Sequence, residues 1–173
     1  MSGWKVHYFP ISDRDLNNFR RNFPAPEDCV INAIELLGLV SPRDAALMRI
    51  LVGKRGVETY QIEDIFRWIY PDYGWRFHRI AVTHPNKNRI LNHLQSIPPS
   101  SVVFAGIEWT RGGNHVILLG RQRNGELVAL DPQSRRQPII AGLDPIIQAY
   151  LSLAANIYFL ESATRGDDPM EID

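Results

Sequence analysis

The chain predicts an α+β fold: N-terminal helices, with a Cys-bearing helix at their centre, packed on a mostly antiparallel β-sheet. Three observations carry that prediction. Capped, helix-period apolar patterns fill residues 29–70, whereas alternating and β-rich runs begin at residue 75. Between residues 115 and 131, two apolar runs flank Arg123-Asn124-Gly125. An Asn-Gly break between apolar runs is a strong short-range signal for a hairpin, and a hairpin makes its two strands antiparallel.

Each element has its own warrant. Residues 4–23 are mixed, with a short helix expected over 13–19. Pro24-Ala25-Pro26 stiffens the approach to the next element, because proline fixes its own φ and biases its predecessor away from helix. Asp28 is the expected N-cap of a helix that opens at Cys29 and ends at Gly38; this helix is apolar on most sides and therefore expected to be buried. Ser41-Pro42-Arg43-Asp44 combines a capping serine, proline at the first helical position and an acid in the first turn, so a helix runs to about residue 52 and stops at Gly53. Ile62, Ile65, Phe66 and Ile69 recur at helical spacing over 59–70. Residues 75–80 alternate as a strand. Residues 85–95 form a short helix with Ile90, Leu91 and Leu94 inward, and 101–109 a strand. Beyond the hairpin, a short strand is expected over 135–140, a helix over 143–154 and a last strand over 156–161. Residues 163–173 are polar and mostly acidic and read as a mobile tail, leaving a single domain over 1–162.

Composition excludes several classes. A chain of 173 residues supports one core. Its 19 Lys and Arg balance 19 Asp and Glu, so no bulk field draws it to nucleic acid or a membrane, and neither is an expected partner. One cysteine excludes an internal disulfide framework and a multi-cysteine zinc site. His7, His78, His84 and His93 lack metal-ligand spacing and read as surface or helix-face residues, so neither metal nor cofactor is expected. The first residues hold no apolar run of signal-peptide length and no segment suits a bilayer span. The expectation is a soluble protein, cytoplasmic or delivered into a host cytosol.

The ends of the hairpin carry the chemistry. His115 opens the first strand behind Gly112, Gly113 and Asn114; Asp131 closes the second just before Pro132. If Asn124-Gly125 is a two-residue turn, Asp131 pairs with Leu118 and His115 faces the other side. If Arg123-Asn124-Gly125 is a three-residue loop with Gly125 left-handed in a bulge, Asp131 pairs with Ile117. His115 and Asp131 then share a face as diagonal neighbours roughly 7–8 Å apart at the backbone. The bulged loop is the prediction. It makes the carboxylate the partner that orients the imidazole.

Cys29 falls in the first turn of its helix, where the macrodipole favours a thiolate and backbone N–H groups can hold an oxyanion; the adjacent Asp28 opposes this. Taken singly, each residue has a plain structural reading: a small core cysteine, a structural histidine, a turn at Asp-Pro. Their order along the chain changes the balance. A cysteine opening a central helix, a Gly-x-Asn-His-apolar strand and a polar residue one strand later resemble the papain-like superfamily of cysteine hydrolases. Leu130-Asp131-Pro132-Gln133 is similar to the ending of papain-fold toxin and effector domains, including glutamine deamidases, and shares Asp-Pro with bacteriocin-processing peptidases.

The resemblance implies a papain-like fold with Cys29 as nucleophile, His115 as base and Asp131 as its orienter. It covers the cysteine helix and the hairpin. Where papain-type enzymes carry an upstream oxyanion glutamine, this chain has Phe23 with Asn22 beside it, so Asn22 or Gln133 is the candidate second donor. Gly112, Gly113, Asn114 and Trp109 are candidates for a substrate groove. Arg111, Arg121, Arg123, Arg135 and Arg136 form a candidate basic rim for an acidic protein surface. The implied activity is thiol-dependent hydrolysis of an amide bond of a protein, as side-chain deamidation, proteolysis or isopeptide cleavage. The alternative is a non-catalytic papain-fold module that binds a protein.

Overall fold

The computed structural model describes residues 3–16, 29–52, 59–131 and 139–164. Asn22, Pro24, Pro26, Asp28, Gln133, Arg135, Arg136 and residues 165–173 lie outside the described residues. The fold is α+β. Its sheet runs β1 (Lys5–Val6), β8 (Ala154–Thr164), β4 (Ser101–Trp109), β5 (Asn114–Arg121), β6 (Leu127–Leu130) and β7 (Ile139–Ala141) in order across. β2 (Phe9–Pro10) also pairs with β4, and β3 (Tyr73–Ala81) pairs with β8. Every pairing is antiparallel.

β8 is bordered by β3 along most of its length; its other edge is shared between β4 over residues 154–159 and β1 at Glu161 and Ser162. β4 likewise gives Ser101 and Val102 to β2. The N-terminal segment, read from the sequence as mixed, therefore fills the fork where β4 and β8 diverge. Two-residue strands carry no periodic signal, so only these partners define them.

Helices cover both faces. On one, Val30, Ala33 and Ile34 of α2 (Cys29–Leu36) and Ile62 and Phe66 of α4 (Thr59–Ile69) pack on Trp75, Phe104, Val116, Leu118 and Leu130. Ala45 and Met48 of α3 (Pro42–Val52) pack behind α2 on Ile31. On the other face, Ile90 and Leu94 of α5 (Lys87–Gln95) and Ile146 of α6 (Leu143–Ala149) meet Ala105, Ile107, Ile117, Leu119 and Ala129. The sequence order of helices followed by sheet thus becomes three layers, because α5 and α6 interleave with the strands and bury the second face.

Local chemistry explains the element ends. Ser12 and Asp15 form a reciprocal capping pair, Ser12 N to Asp15 Oδ2 at 2.9 Å and Asp15 N to Ser12 Oγ at 3.1 Å, before α1 (13–16 as described). Asp44 N donates to Ser41 Oγ at 3.1 Å at the start of α3. α2 ends at Leu36, and Gly38 beyond it, with a φ of 73°, lets Leu39 N reach back to Ile34 O at 3.1 Å. The helix expected to reach residue 154 stops at Ala149; Leu151–Leu153 tighten into a 3-10 turn and Ala154 enters β8. β8 itself runs to Thr164, so the first two residues assigned to the tail are sheet.

His7 corrects the expectation of a surface residue. Its Nδ1 shares a 2.6 Å hydrogen bond with Ser162 Oγ, and its ring lies 4.6 Å from Phe9 and 4.7 Å from Trp75 between centroids. Burial lowers its pKa below 6.5. His93 is a helix-face residue of α5, as expected, and stacks on Phe159 at 4.7 Å between centroids.

Candidate active site

The hairpin adopts the bulged register. Gln122 N donates to Glu126 O and Gly125 N to Gln122 O, both at 2.9 Å, leaving Arg123, Asn124 and Gly125 as the loop. Gly125 has a φ of 93°, in the region that disfavours a side chain. The Leu118↔Leu130 pairing continues to place Asp131 opposite Ile117. His115 pairs with Ile107 of β4 on its other side.

His115 and Asp131 meet on one face. The Nε2 of His115 lies 2.8 Å from Asp131 Oδ2, and their side chains are 12% and 10% exposed. With Nε2–H donating to the carboxylate, Nδ1 is the nitrogen presented to a second partner. A third side chain joins them. The Tyr150 hydroxyl donates to the same Oδ2 at 3.0 Å, and Tyr150 is 5% exposed. Burial, followed by the charge and hydrogen bond of Asp131, holds the Tyr150 phenol far above its ordinary pKa, so it stays a donor.

Trp109, a candidate groove wall, stacks on both rings, 6.2 Å from His115 and 6.4 Å from Tyr150 between centroids. It is a wall of the imidazole site. Gly112 and Gly113, at φ of 96° and 90°, turn β4 into β5, with Trp109 N donating to Gly113 O and Gly112 N to Trp109 O, both at 3.0 Å. These glycines and Asn114 are exposed at the sheet end where His115 lies.

Cys29 opens α2, and its side chain lies outside the described residues. α2 packs on β5 through the face carrying Val116 and Leu118. Successive strand residues alternate faces, so His115, one residue before Val116, directs its ring to the opposite face with Ile117. The helix that carries Cys29 and the ring of His115 therefore lie on opposite faces of β5.

Arg121 leaves the candidate basic rim. Its Nε donates to Ile97 O at 2.8 Å, and its terminal nitrogens to Gly125 O at 2.6 Å and Leu94 O at 3.2 Å. Arg111 is exposed in the turn between β4 and β5, and Arg123 is exposed in the hairpin loop at the other end of β5. Tyr150 is the site residue that sequence reasoning missed; a tyrosine closing an apolar helix face needs a hydroxyl partner once buried, which is the signal it offered. Among the described residues, no group of three His, Cys, Asp or Glu is placed to hold a metal ion, and no helix is long and apolar enough to cross a membrane. No family model, curated protein or solved structure matches the chain.

Proposed function

We propose that the protein is a cysteine hydrolase of papain-like type, acting on an amide bond of a protein through Cys29, His115 and Asp131. One observation carries the reading: the buried 2.8 Å hydrogen bond between His115 Nε2 and Asp131 Oδ2, which leaves Nδ1 as the nitrogen for a reaction partner. In this reading the Nδ1 of His115 takes the thiol proton, giving a thiolate–imidazolium pair. The thiolate adds to the amide carbonyl, and backbone N–H groups of the first turn of α2 receive the oxyanion, with Asn22 or Gln133 as second donor. Collapse breaks the C–N bond as the imidazolium protonates the departing nitrogen, which leaves as ammonia or an amine. His115 then takes a proton from water, whose oxygen attacks the thioester; collapse returns the proton to sulfur and releases the carboxylic product. Asp131 holds the imidazole in one orientation throughout. Arg111, in the turn that leads into the His115 strand, offers a substrate with an acidic surface a partner beside the site.

A second reading, a non-catalytic protein-binding module of the same fold, draws on a specific observation: α2 packs on the face opposite the His115 ring. There the His115–Asp131 bond is a structural tie that closes the hairpin. Iodoacetamide alkylation of Cys29 as a function of pH separates the two. For the hydrolase, fast labelling persists below pH ~7 and collapses in His115→Ala. Labelling with a midpoint near ~8.5 that the substitution leaves alone would discard the enzyme reading.

A further inference from the structure

Hydrogen bonding and stacking around Asp131 extend beyond the three residues of the proposed mechanism. Oδ2 of Asp131 accepts from two side chains at once, His115 Nε2 at 2.8 Å and the Tyr150 hydroxyl at 3.0 Å. Tyr150 reaches it from the end of α6, an element that contributes nothing else to the triad. Trp109 lies nearly parallel to both rings, 19° from His115 and 22° from Tyr150, and covers them together. Two donors on one oxygen, arriving from different elements, restrict rotation of the carboxylate in a way that one donor does not.

We propose that Tyr150 is a positioning residue of this site, whose hydroxyl holds the Asp131 carboxylate so that His115 is kept Nε2-protonated and presents Nδ1 to its reaction partner. The role rests on the hydrolase reading. Its electrostatic consequence is definite. A hydroxyl hydrogen bond disperses part of the carboxylate charge, so it weakens the hold of Asp131 on an imidazolium. Removing the hydroxyl concentrates that charge and raises the proton affinity of His115. Asp131, just beyond β6, is hydrogen-bonded to the ring, and Tyr150, just beyond α6, is bonded to that carboxylate; Trp109 adds a neutral face from β4.

Tyr150→Phe keeps the ring that packs on Trp109 and removes only the hydroxyl. The test follows the His115 imidazole by proton–nitrogen correlation in ring-labelled protein, its signal identified by loss in His115→Ala. In the wild type, the neutral ring is expected to carry its proton on Nε2. In Tyr150→Phe, the titration midpoint moves up by about half a unit and the Nδ1-protonated tautomer becomes detectable. A merely structural tyrosine lowers the thermal midpoint and leaves the His115 titration and tautomer unchanged; that result overturns the proposal. 3-Fluorotyrosine at position 150, a stronger donor of the same shape, gives the opposite shift and serves even if the phenylalanine variant folds poorly. Absence of any shift with it also overturns the role. The hydrolase reading fails separately: Cys29 alkylation indifferent to His115→Ala removes the reaction, whereas the two tyrosine substitutions report only on the carboxylate.

Discussion

Gly120 shows how little room one position has. It lies on β5 opposite Val102, and a Cβ built there would come within 2.5 Å of Val102 Cγ1 and 2.9 Å of the Ser101 carbonyl oxygen. The valine methyl can turn, but the carbonyl belongs to a backbone locked in the ladder, where Ser100 N also donates to Arg121 O at 2.8 Å. Gly120→Ala therefore forces β4 and β5 apart. The expected loss is about 2 kcal/mol, within the range for overpacking a well-filled core. Urea unfolding checks it; an unchanged midpoint would show that the valine alone absorbs the strain. Gly125 is a different case, since it is needed for its φ of 93° and has open space around it. Asn124-Gly125 was legible for that reason: a left-handed requirement at a known place in a turn is a local property, and it set the register that brings Asp131 to the face of His115.

Arg121 acts between elements. One guanidinium holds the carbonyls of Leu94 and Ile97, at the end of α5 and just beyond it, and that of Gly125 in the hairpin loop. A cation at a helix C-terminus complements the macrodipole, and charge-assisted bonds to carbonyls leave fewer orphaned acceptors. Arg121→Ala should cost about 2–4 kcal/mol, from hydrogen bonds to a charged group worth roughly 1.5–3 kcal/mol each, partly replaced by water. Arg121→Lys should recover only a fraction, because an ammonium cannot span three carbonyls with a planar fork. Denaturant unfolding of both variants measures this, and equal midpoints for wild type and Arg121→Ala would dismiss the tie. Nothing in the spacing of arginines around the hairpin distinguished this one from Arg111 or Arg123. Its role depends on α5 lying against β5, which is a tertiary fact.

Acid sensitivity belongs to the whole molecule, because both histidines concerned bridge parts distant in sequence. His7 is lowered by burial; His93 is lowered by burial first, then by Arg89 and His78, against an opposing effect of Glu161. Each is therefore a weaker base folded than unfolded, where its value is 6.5. Below pH 6.5 the unfolded chain binds more protons than the native one, so the contribution present at neutral pH is lost as pH falls through the folded values. Unfolding by urea at pH ~7.5 and ~5.5 should show a marked drop in the wild type and a smaller one in His7→Phe/His93→Phe. The comparison is between pH values within each protein, so the hydrogen bond between His7 and Ser162 lost in the variant cancels. Equal drops would rule out these two residues as the source. His7 also pins β1 and β2 into the fork beside β8, which sets the acid-sensitive contact at the middle of the sheet.

Short-range chemistry was readable in order along the chain. Ser41 and Pro42 mark the start of α3, Gly38 the end of α2, Ile62 and Phe66 the buried stripe of α4, and the 101–109 run matches β4. Such features depend on a residue and its neighbours within a turn or two, so the covalent order already contains them. What required the folded chain is whatever depends on partners far apart in sequence. β1 and β2 exist only against β8 and β4, and α5 and α6 become a second helical layer only once the sheet is there to cover. The pleat likewise sends His115 to the face away from α2, and Tyr150 becomes a site residue only when the end of α6 meets Asp131. Hydrophobic burial has no direction along the chain: it selects which faces close, and that choice is made by all the elements together.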